Sequence, residues 1–411
     1  MKAEIIAIGN EIVTGNTVNT NASYIAKQIQ TIGITPKYHS AACDEISDIE
    51  GVLSKSLERA DIIFVTGGLG PTEDDLTKEA ICRYLNKELV IREGIVENIK
   101  AYFEKLNKTM PDSNRKQAAF PLDAYILENT KGTAPGCILE EGTQYIVLLP
   151  GPPKEMKPML DDYVLPYFKQ KIDYFYHSID IKLFGIGESE MAEKIAHILG
   201  DYEHVNVAPY VGNNEVIIRI TAGGYSEQQV TLAAENIKNN VCDCLGEYVI
   251  GYNEDRLEDL ILGLMQHYNY TLATVESCTG GMLASTFVNC SGISSYFNEG
   301  IITYSNEAKM KYVGVSKDTL KTYGAVSRQT AKEMAEGIKL KARTDIGLST
   351  TGIAGPSGGS IEKPVGLVYI GLAIQEETYV YELHLTGDRQ TVREKTVKNL
   401  LFKLYKHLKQ I

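Results

Sequence analysis

Short apolar runs that stop abruptly at glycine constrain this chain more than any other feature. EIIAIGNE near the start, DIIFVTGG at 61–68 and YIVLLPGPP at 145–153 are each too brief for a helix and end in loop-forming residues. Amphipathic stretches lie between them, NASYIAKQIQTIG closed by Gly33 and DIEGVLSKSLERA. Strands that alternate with helices predict a parallel sheet covered by helices on both faces. The same rhythm returns after Asn253. There the helix DRLEDLILGLMQHY precedes the strand TLATVES, the helix GGMLASTFVNC, the strand EGIITYS and the helix NEAKMKYVG. The strands DIGLSTTG, VGLVYIGLAI and TYVYELHLTG and a long last helix complete it.

Between the two α/β blocks the pattern changes. IDIKLFG, ESEMAEKIAHILG, VNVAPY, EVIIRITA, a long helix from EQQ to CLG and EYVIG read as β-α-β-β-α-β, with VGNN at 211–214 as the turn between the two middle strands. A chain of 411 residues exceeds one ordinary domain. The organisation expected is therefore α/β throughout: residues 1–168 and 251–411 as two three-layer α/β domains, joined by a small domain over 169–250. GIGE at 185–188 has the outline of a nucleic-acid clamp but carries no basic residue, and it reads as a strand-to-helix turn.

The formal net charge of −12 argues against a basic face for nucleic-acid backbones. No apolar run approaches the roughly 20 residues of a membrane span. The first residues read as a strand rather than a signal peptide. Seven cysteines occur without a C-x-x-C pair, and Cys242 and Cys244 suit neither a zinc ribbon nor a redox dithiol. Reduced thiols in a cytoplasm are the expectation.

VESCTGG, residues 275–281, places Ser277 where a strand gives way to a helix, a position that presents a nucleophile on a tight turn. The backbone N–H groups that follow could hold an oxyanion, and Gly280 and Gly281 admit close approach. The competing role is plain helix capping by Ser277 or Thr279. No histidine adjoins this motif, and His384, inside an apparent strand, reads as packed. TYSNEAK offers Tyr304 near a strand end and Lys309 in a first helical turn, third after a cap at Asn306. The helix dipole there would depress a lysine pKa, as a general base requires. A solvated surface lysine is the alternative. TGIAGPSGG, with Thr351, Gly352 and Gly355, is a candidate ligand cradle. In GDRQTVR, Asp388 reads as a cap, and Arg389 and Arg393 share a helix face suited to phosphate or solvent.

ESCTGG, TYSNEAK, KYVGVS, YGAVS, TGIAGPSGG, EKPVGLVY and GDR…VR occur in order over the last third of the chain. Together they resemble the C-terminal domain of the CinA family, which also occurs alone as nicotinamide mononucleotide deamidase. The resemblance implies hydrolysis of the carboxamide of nicotinamide mononucleotide, without a cofactor, with Ser277 as nucleophile, Lys309 as base and Tyr304 as helper. Thr279, Gly280, Gly281, Thr351, Gly352, Gly355 and Arg389 become substrate-binding candidates. Val275 replaces a more usual alanine.

GNEIVTGNTVNTN, TGGLGPTEDDLT, NRKQAAFP, GTAPG and LPGPPKEM resemble the N-terminal domain of the same family, which is similar to the molybdopterin-binding MoaB/Mog fold. Gly67, Gly68 and Gly70 form an anion-cradling loop after a strand. Asp74 and Asp75 follow at a helix start, where capping is the alternative role, and Glu11 and Glu155 lie in loops after strands. The resemblance implies an ADP-ribose pyrophosphatase in which these four carboxylates hold Mg²⁺ or a transition metal. It also implies a KH-like middle domain and a homodimer. Two rivals remain, a molybdopterin-binding protein and a non-catalytic competence or DNA-damage scaffold.

Overall fold

The computed structural model describes residues 1–202, 204–212 and 215–411. Contacts group them into two compact units, Met1–Ser178 with Gly200–Asn206 and Ile220–Ile237, and Ile179–Leu199 with Val207–Arg219 and Lys238–Ile411.

The first unit is organised by a six-stranded sheet in the order Thr35–Ala42, Lys2–Ile8, Ile62–Thr66, Gln144–Leu149, Gly136–Glu141, Tyr125–Leu127. The first four strands run parallel. The last two are antiparallel additions that the parallel reading did not contain. Every residue of Ile62–Thr66 is buried, as a strand covered on both faces requires. Alternate side chains split between two cores. Ile5, Phe64 and Val147 pack with Ile25, Ile29 and Phe168. Ile6, Ile63, Val65 and Leu148 pack with Ile49, Leu53 and Ile81. The strand Thr35–Ala42 is half polar because it lies at the sheet edge.

The C-terminal sheet has the order Phe297–Ile302, Leu272–Glu276, Ile346–Gly352, Leu367–Ile374, Glu377–His384. The first three strands are parallel and the last two antiparallel. Met334 and Ile338 of the helix Arg328–Ala342 pack with Ala273 and Val275 on one face. Helices Leu257–Tyr268 and Arg389–Leu408 pack with Leu272, Leu348 and Ile370 on the other. Arg328–Ala342 and the shorter helix Lys317–Tyr323 were not anticipated. Their signals were present, since Ser327 accepts from the Thr330 N–H and Ser316 from the Asp318 N–H as N-caps. His384 is not packed: it sits exposed on the edge strand, 2.9 Å from Glu382.

In the middle stretch the expected element order appears, with one short extra strand, Gly200–Tyr202. The helix at ESEM stops at Lys194 instead of running to Gly200. The VGNN turn depends on Asn213 and Asn214, which lie outside the described residues. Among the described residues no helix is long and apolar enough to cross a membrane.

Candidate active sites

The strand Leu272–Glu276 ends against Ser277, and the chain then turns through Gly280 and Gly281 into the helix Met282–Val288. Gly280 and Gly281 have φ of +59° and +94°, the left-handed region that glycine enters without strain. The capping role expected of Ser277 or Thr279 falls instead to Glu276. Its buried carboxylate accepts from the Thr279 hydroxyl at 2.6 Å, the Gly281 and Leu283 N–H groups at 3.0 Å each, and the Ala284 N–H at 2.8 Å. Thr279 also bonds the Thr350 hydroxyl at 2.7 Å. The turn is thus fixed without using Ser277 Oγ. Glu276→Ala would strand several buried donors, each at about 1–3 kcal/mol. A loss of at least about 3 kcal/mol in denaturant unfolding is expected, and a change within about 0.5 kcal/mol, the range of ordinary surface substitutions, would contradict this role.

Lys309 meets Ser277 here. Its Nζ donates to Ser277 Oγ at 3.0 Å and to the Thr303 carbonyl at 2.7 Å. Lys309 is 1% exposed, so the solvated-lysine alternative is wrong. Burial holds its ammonium below the usual lysine range, partly opposed by Cys278. The cap of its helix is Ser305, which accepts from the Ala308 N–H at 3.1 Å. Asn306 therefore opens the helix Asn306–Val313, and Lys309 is its fourth residue rather than its third.

The remaining candidates have contacts of their own. The Tyr304 side chain is exposed, and its hydroxyl accepts from Arg389 Nη2 at 3.2 Å. Among the described residues no hydrogen bond joins that phenol to Ser277 or Lys309. Arg389 also donates to the Gly355 carbonyl at 2.8 Å, which ties the glycine-rich loop to the last helix. The Asp388 cap is present, accepting from the Thr391 N–H. Thr351 is buried and donates to the Ala325 carbonyl at 2.7 Å. Gly352 is needed for strand packing, because a Cβ there would lie 2.6 Å from Val368. Arg393, left between phosphate and solvent by its sequence, is half-buried and has a protein partner. Its guanidinium forks onto the Thr279 carbonyl at 2.7 and 3.3 Å and braces the nucleophile turn.

In the first unit, the ends of three parallel strands open on a cleft of about 450 Å³. Gly67, Gly68, Gly70, Glu11, Asp74, Asp75 and Glu155 all line it. A Cβ on Gly67 would lie 2.2 Å from the Ile8 carbonyl oxygen, and one on Gly68 2.1 Å from Thr77 Oγ1. The loop therefore crosses its neighbours as bare backbone.

The carboxylates differ from their expected settings. Glu11 and Glu155 lie in the first turns of the helices Asn10–Val13 and Pro153–Met159 rather than in loops. Neither Asp74 nor Asp75 caps the helix Thr77–Tyr84, whose N-cap position is Leu76. Asp75 instead closes its own turn, accepting from the Thr72 N–H at 2.9 Å and from the Thr72 hydroxyl. Lys116 fixes that turn by donating to the Thr72 and Asp75 carbonyls at 2.8 and 2.7 Å. Glu155 accepts from Asn129 at 2.7 Å. Asp44 was missed. It follows the polar edge strand and accepts from the Asn10 N–H at 2.9 Å. Burial, then the charges of Glu11, Asp74 and Asp75, push its carboxyl above the usual range, against the Asn10 hydrogen bond.

A cation would relieve that crowding, so the donor chemistry fits a hard divalent ion. Among the described residues no three acidic, histidine or cysteine side chains converge into a self-sufficient metal cage. The set suits an ion held by one or two carboxylates and completed by substrate oxygens.

Comparison with known proteins gives three family matches: "CinA C-terminal domain" over residues 254–408, "Damage-inducible protein CinA KH domain" over 179–251, and "Probable molybdopterin binding domain" over 4–170. A competence-damage inducible protein of Clostridium novyi (strain NT) is 48% identical over 97% of this chain and 96% of its own. One from Acetivibrio thermocellus is 45% identical over 97% of each chain. Among solved structures, the protein CinA of Thermoplasma acidophilum is 34% identical, with a TM-score of 0.37, covering 39% of this chain and 96% of its own.

Proposed function

The chain belongs to the CinA family of competence-damage inducible proteins, and from that premise we propose that its C-terminal domain hydrolyses nicotinamide mononucleotide to nicotinate mononucleotide and ammonia. One observation carries the reading: a buried Lys309 amine 3.0 Å from the hydroxyl of Ser277. In its neutral form Lys309 takes the Ser277 proton while Oγ attacks the carboxamide carbon. The N–H groups of Cys278 and Thr279, next to the nucleophile, are the candidate donors to the oxyanion. Collapse expels the nitrogen, to which Lys309 returns the proton, and ammonia leaves. Water then attacks the acyl ester, giving its proton to Lys309, and Ser277 is restored. Tyr304 and Arg389 form a polar and cationic rim suited to the nucleotide's phosphate.

We further propose that the N-terminal domain cleaves ADP-ribose to AMP and ribose 5-phosphate. The Gly67–Gly70 backbone would receive the diphosphate, and one or two of the cleft carboxylates Glu11, Asp44, Asp74, Asp75 and Glu155 would hold Mg²⁺ or a transition-metal ion. That ion, when bound, supplies Lewis-acid stabilisation of charge on the phosphoryl oxygens. The family resemblance also supports a cytoplasmic homodimer acting on these two small molecules. Molybdopterin binding in the same cleft is a second reading, favoured by the family match over residues 4–170. Calorimetry with ADP-ribose and with molybdopterin separates the two.

The division of labour has a direct test. EDTA should abolish ADP-ribose cleavage and leave ammonia release intact, since the first unit gathers carboxylates beside its glycine loop while the Ser277–Lys309 chemistry uses no metal. Asp75→Asn should weaken the pyrophosphatase by about tenfold or more. Deamidation that dies with EDTA and returns with Mg²⁺ would contradict the assignment.

A further inference from the structure

The acidic cleft of the first unit does not end at its carboxylates. Thr133 lines both it and a second hollow of about 790 Å³, which opens between the helix Glu93–Lys105 and the loop 128–135. Asn129 builds the shared wall. Its Oδ1 accepts from the Lys131 and Gly132 N–H groups at 2.9 and 2.7 Å, a side-chain-closed turn. Its Nδ2 donates to the Ala134 carbonyl at 2.9 Å and to Glu155 at 2.7 Å. One side chain thus shapes the hollow and orients a carboxylate of the neighbouring cleft. A Cβ on Gly132 would lie 2.1 Å from Glu155, so the two walls are in direct contact. Tyr102 reaches across from the helix, its hydroxyl 3.5 Å from the Lys131 carbonyl.

The two hollows differ in chemistry. The first is acidic and lined by bare glycine backbone. The second carries two acidic and two basic side chains, Glu93 and Glu128 against Arg92 and Lys105, with no net charge. Its other polar groups are amides and hydroxyls, among them Asn98 and Thr130, and Tyr102 supplies an aromatic ring. Its two cations are matched by the two carboxylates, and Arg92 already donates to the Pro121 and Leu122 carbonyls. The lining suits a neutral planar heterocycle with hydrogen-bonding edges, since aromatic faces stack on bases and amides read their edges.

We propose that the second hollow holds the purine-riboside half of the diphosphate substrate, with Tyr102 as its stacking face. This rests on the pyrophosphatase reading and adds where the nucleoside lies. The substrate's phosphates occupy the acidic cleft and its base extends past Thr133.

The chain contains no tryptophan, so Tyr102→Trp in the full-length protein introduces a single indole reporter. Its emission should change saturably with AMP and stay flat with ribose 5-phosphate. Tyr102→Ala should raise KM for ADP-ribose about tenfold or more while kcat moves by less than about twofold, the pattern of lost ground-state and transition-state binding alike. Tyr102→Phe, which keeps the ring, should remain near wild type. An indole unresponsive to AMP, or an unchanged KM in a folded Tyr102→Ala protein, overturns the subsite. If ADP-ribose is not cleaved by the wild type but the indole still responds to AMP, the pyrophosphatase reading falls and the nucleoside site stands.

Discussion

Ser277→Ala should lower nicotinamide mononucleotide deamidation by about a thousandfold or more, the usual cost of deleting a covalent nucleophile. The variant should fold normally, because Ser277 Oγ supports neither the cap nor the turn. Those tasks belong to Glu276 and Arg393. Cys278→Ala, one residue on, should keep most activity. Cys278 is buried at 7% exposure, and burial pushes its thiol up to about 11, so it stays protonated near neutral pH. Steady-state ammonia release from both folded variants checks the ranking. The opposite order would make this a cysteine hydrolase.

Lys309→Arg should be nearly as inactive as Lys309→Met, although both bind substrate. Arginine keeps the charge and much of the reach but cannot give up its proton near neutral pH. Lysine can, provided its pKa falls toward the working range. Desolvation is the largest influence on Lys309 and lowers its pKa, because a charged ammonium is disfavoured away from water. The sign follows directly. The active form is the unprotonated amine, so the rate should rise with pH through one ionisation below the normal lysine value and then level off. A pH–rate profile of the wild type, beside single-turnover assays of the two variants, tests this. Substantial turnover by Lys309→Arg would mean that the lysine only positions substrate, and another base would have to act.

Much of the scaffold was legible because it rests on local patterns. Apolar runs ending at glycine marked the strands that carry both sites, and those patterns survive in single stretches of sequence. What was lost depends on contacts far apart in the chain. Nothing near Lys309 announces that it is buried, since the cover comes from the packed domain as a whole. The cap at Ser305 competed with Asn306, and both are good cap residues. Glu276 gave no local sign that its carboxylate would hold the turn that presents Ser277. Asp44 escaped because its strand, TPKYHSAA, lies at a sheet edge and lacks an apolar signature. Arg393 was seen as one of a pair with Arg389, but helix spacing alone could not show that its partner is the Thr279 carbonyl.

Product analysis tests whether the Ser277–Lys309 pair hydrolyses a nicotinamide carboxamide. The purified full-length chain is incubated with nicotinamide mononucleotide in EDTA, and ammonia and the pyridine nucleotide are quantified together. Equal amounts of ammonia and nicotinate mononucleotide are expected from the wild type, and neither from Ser277→Ala. Intact nicotinamide mononucleotide, or free nicotinamide from cleavage at the ribose, would contradict that assignment.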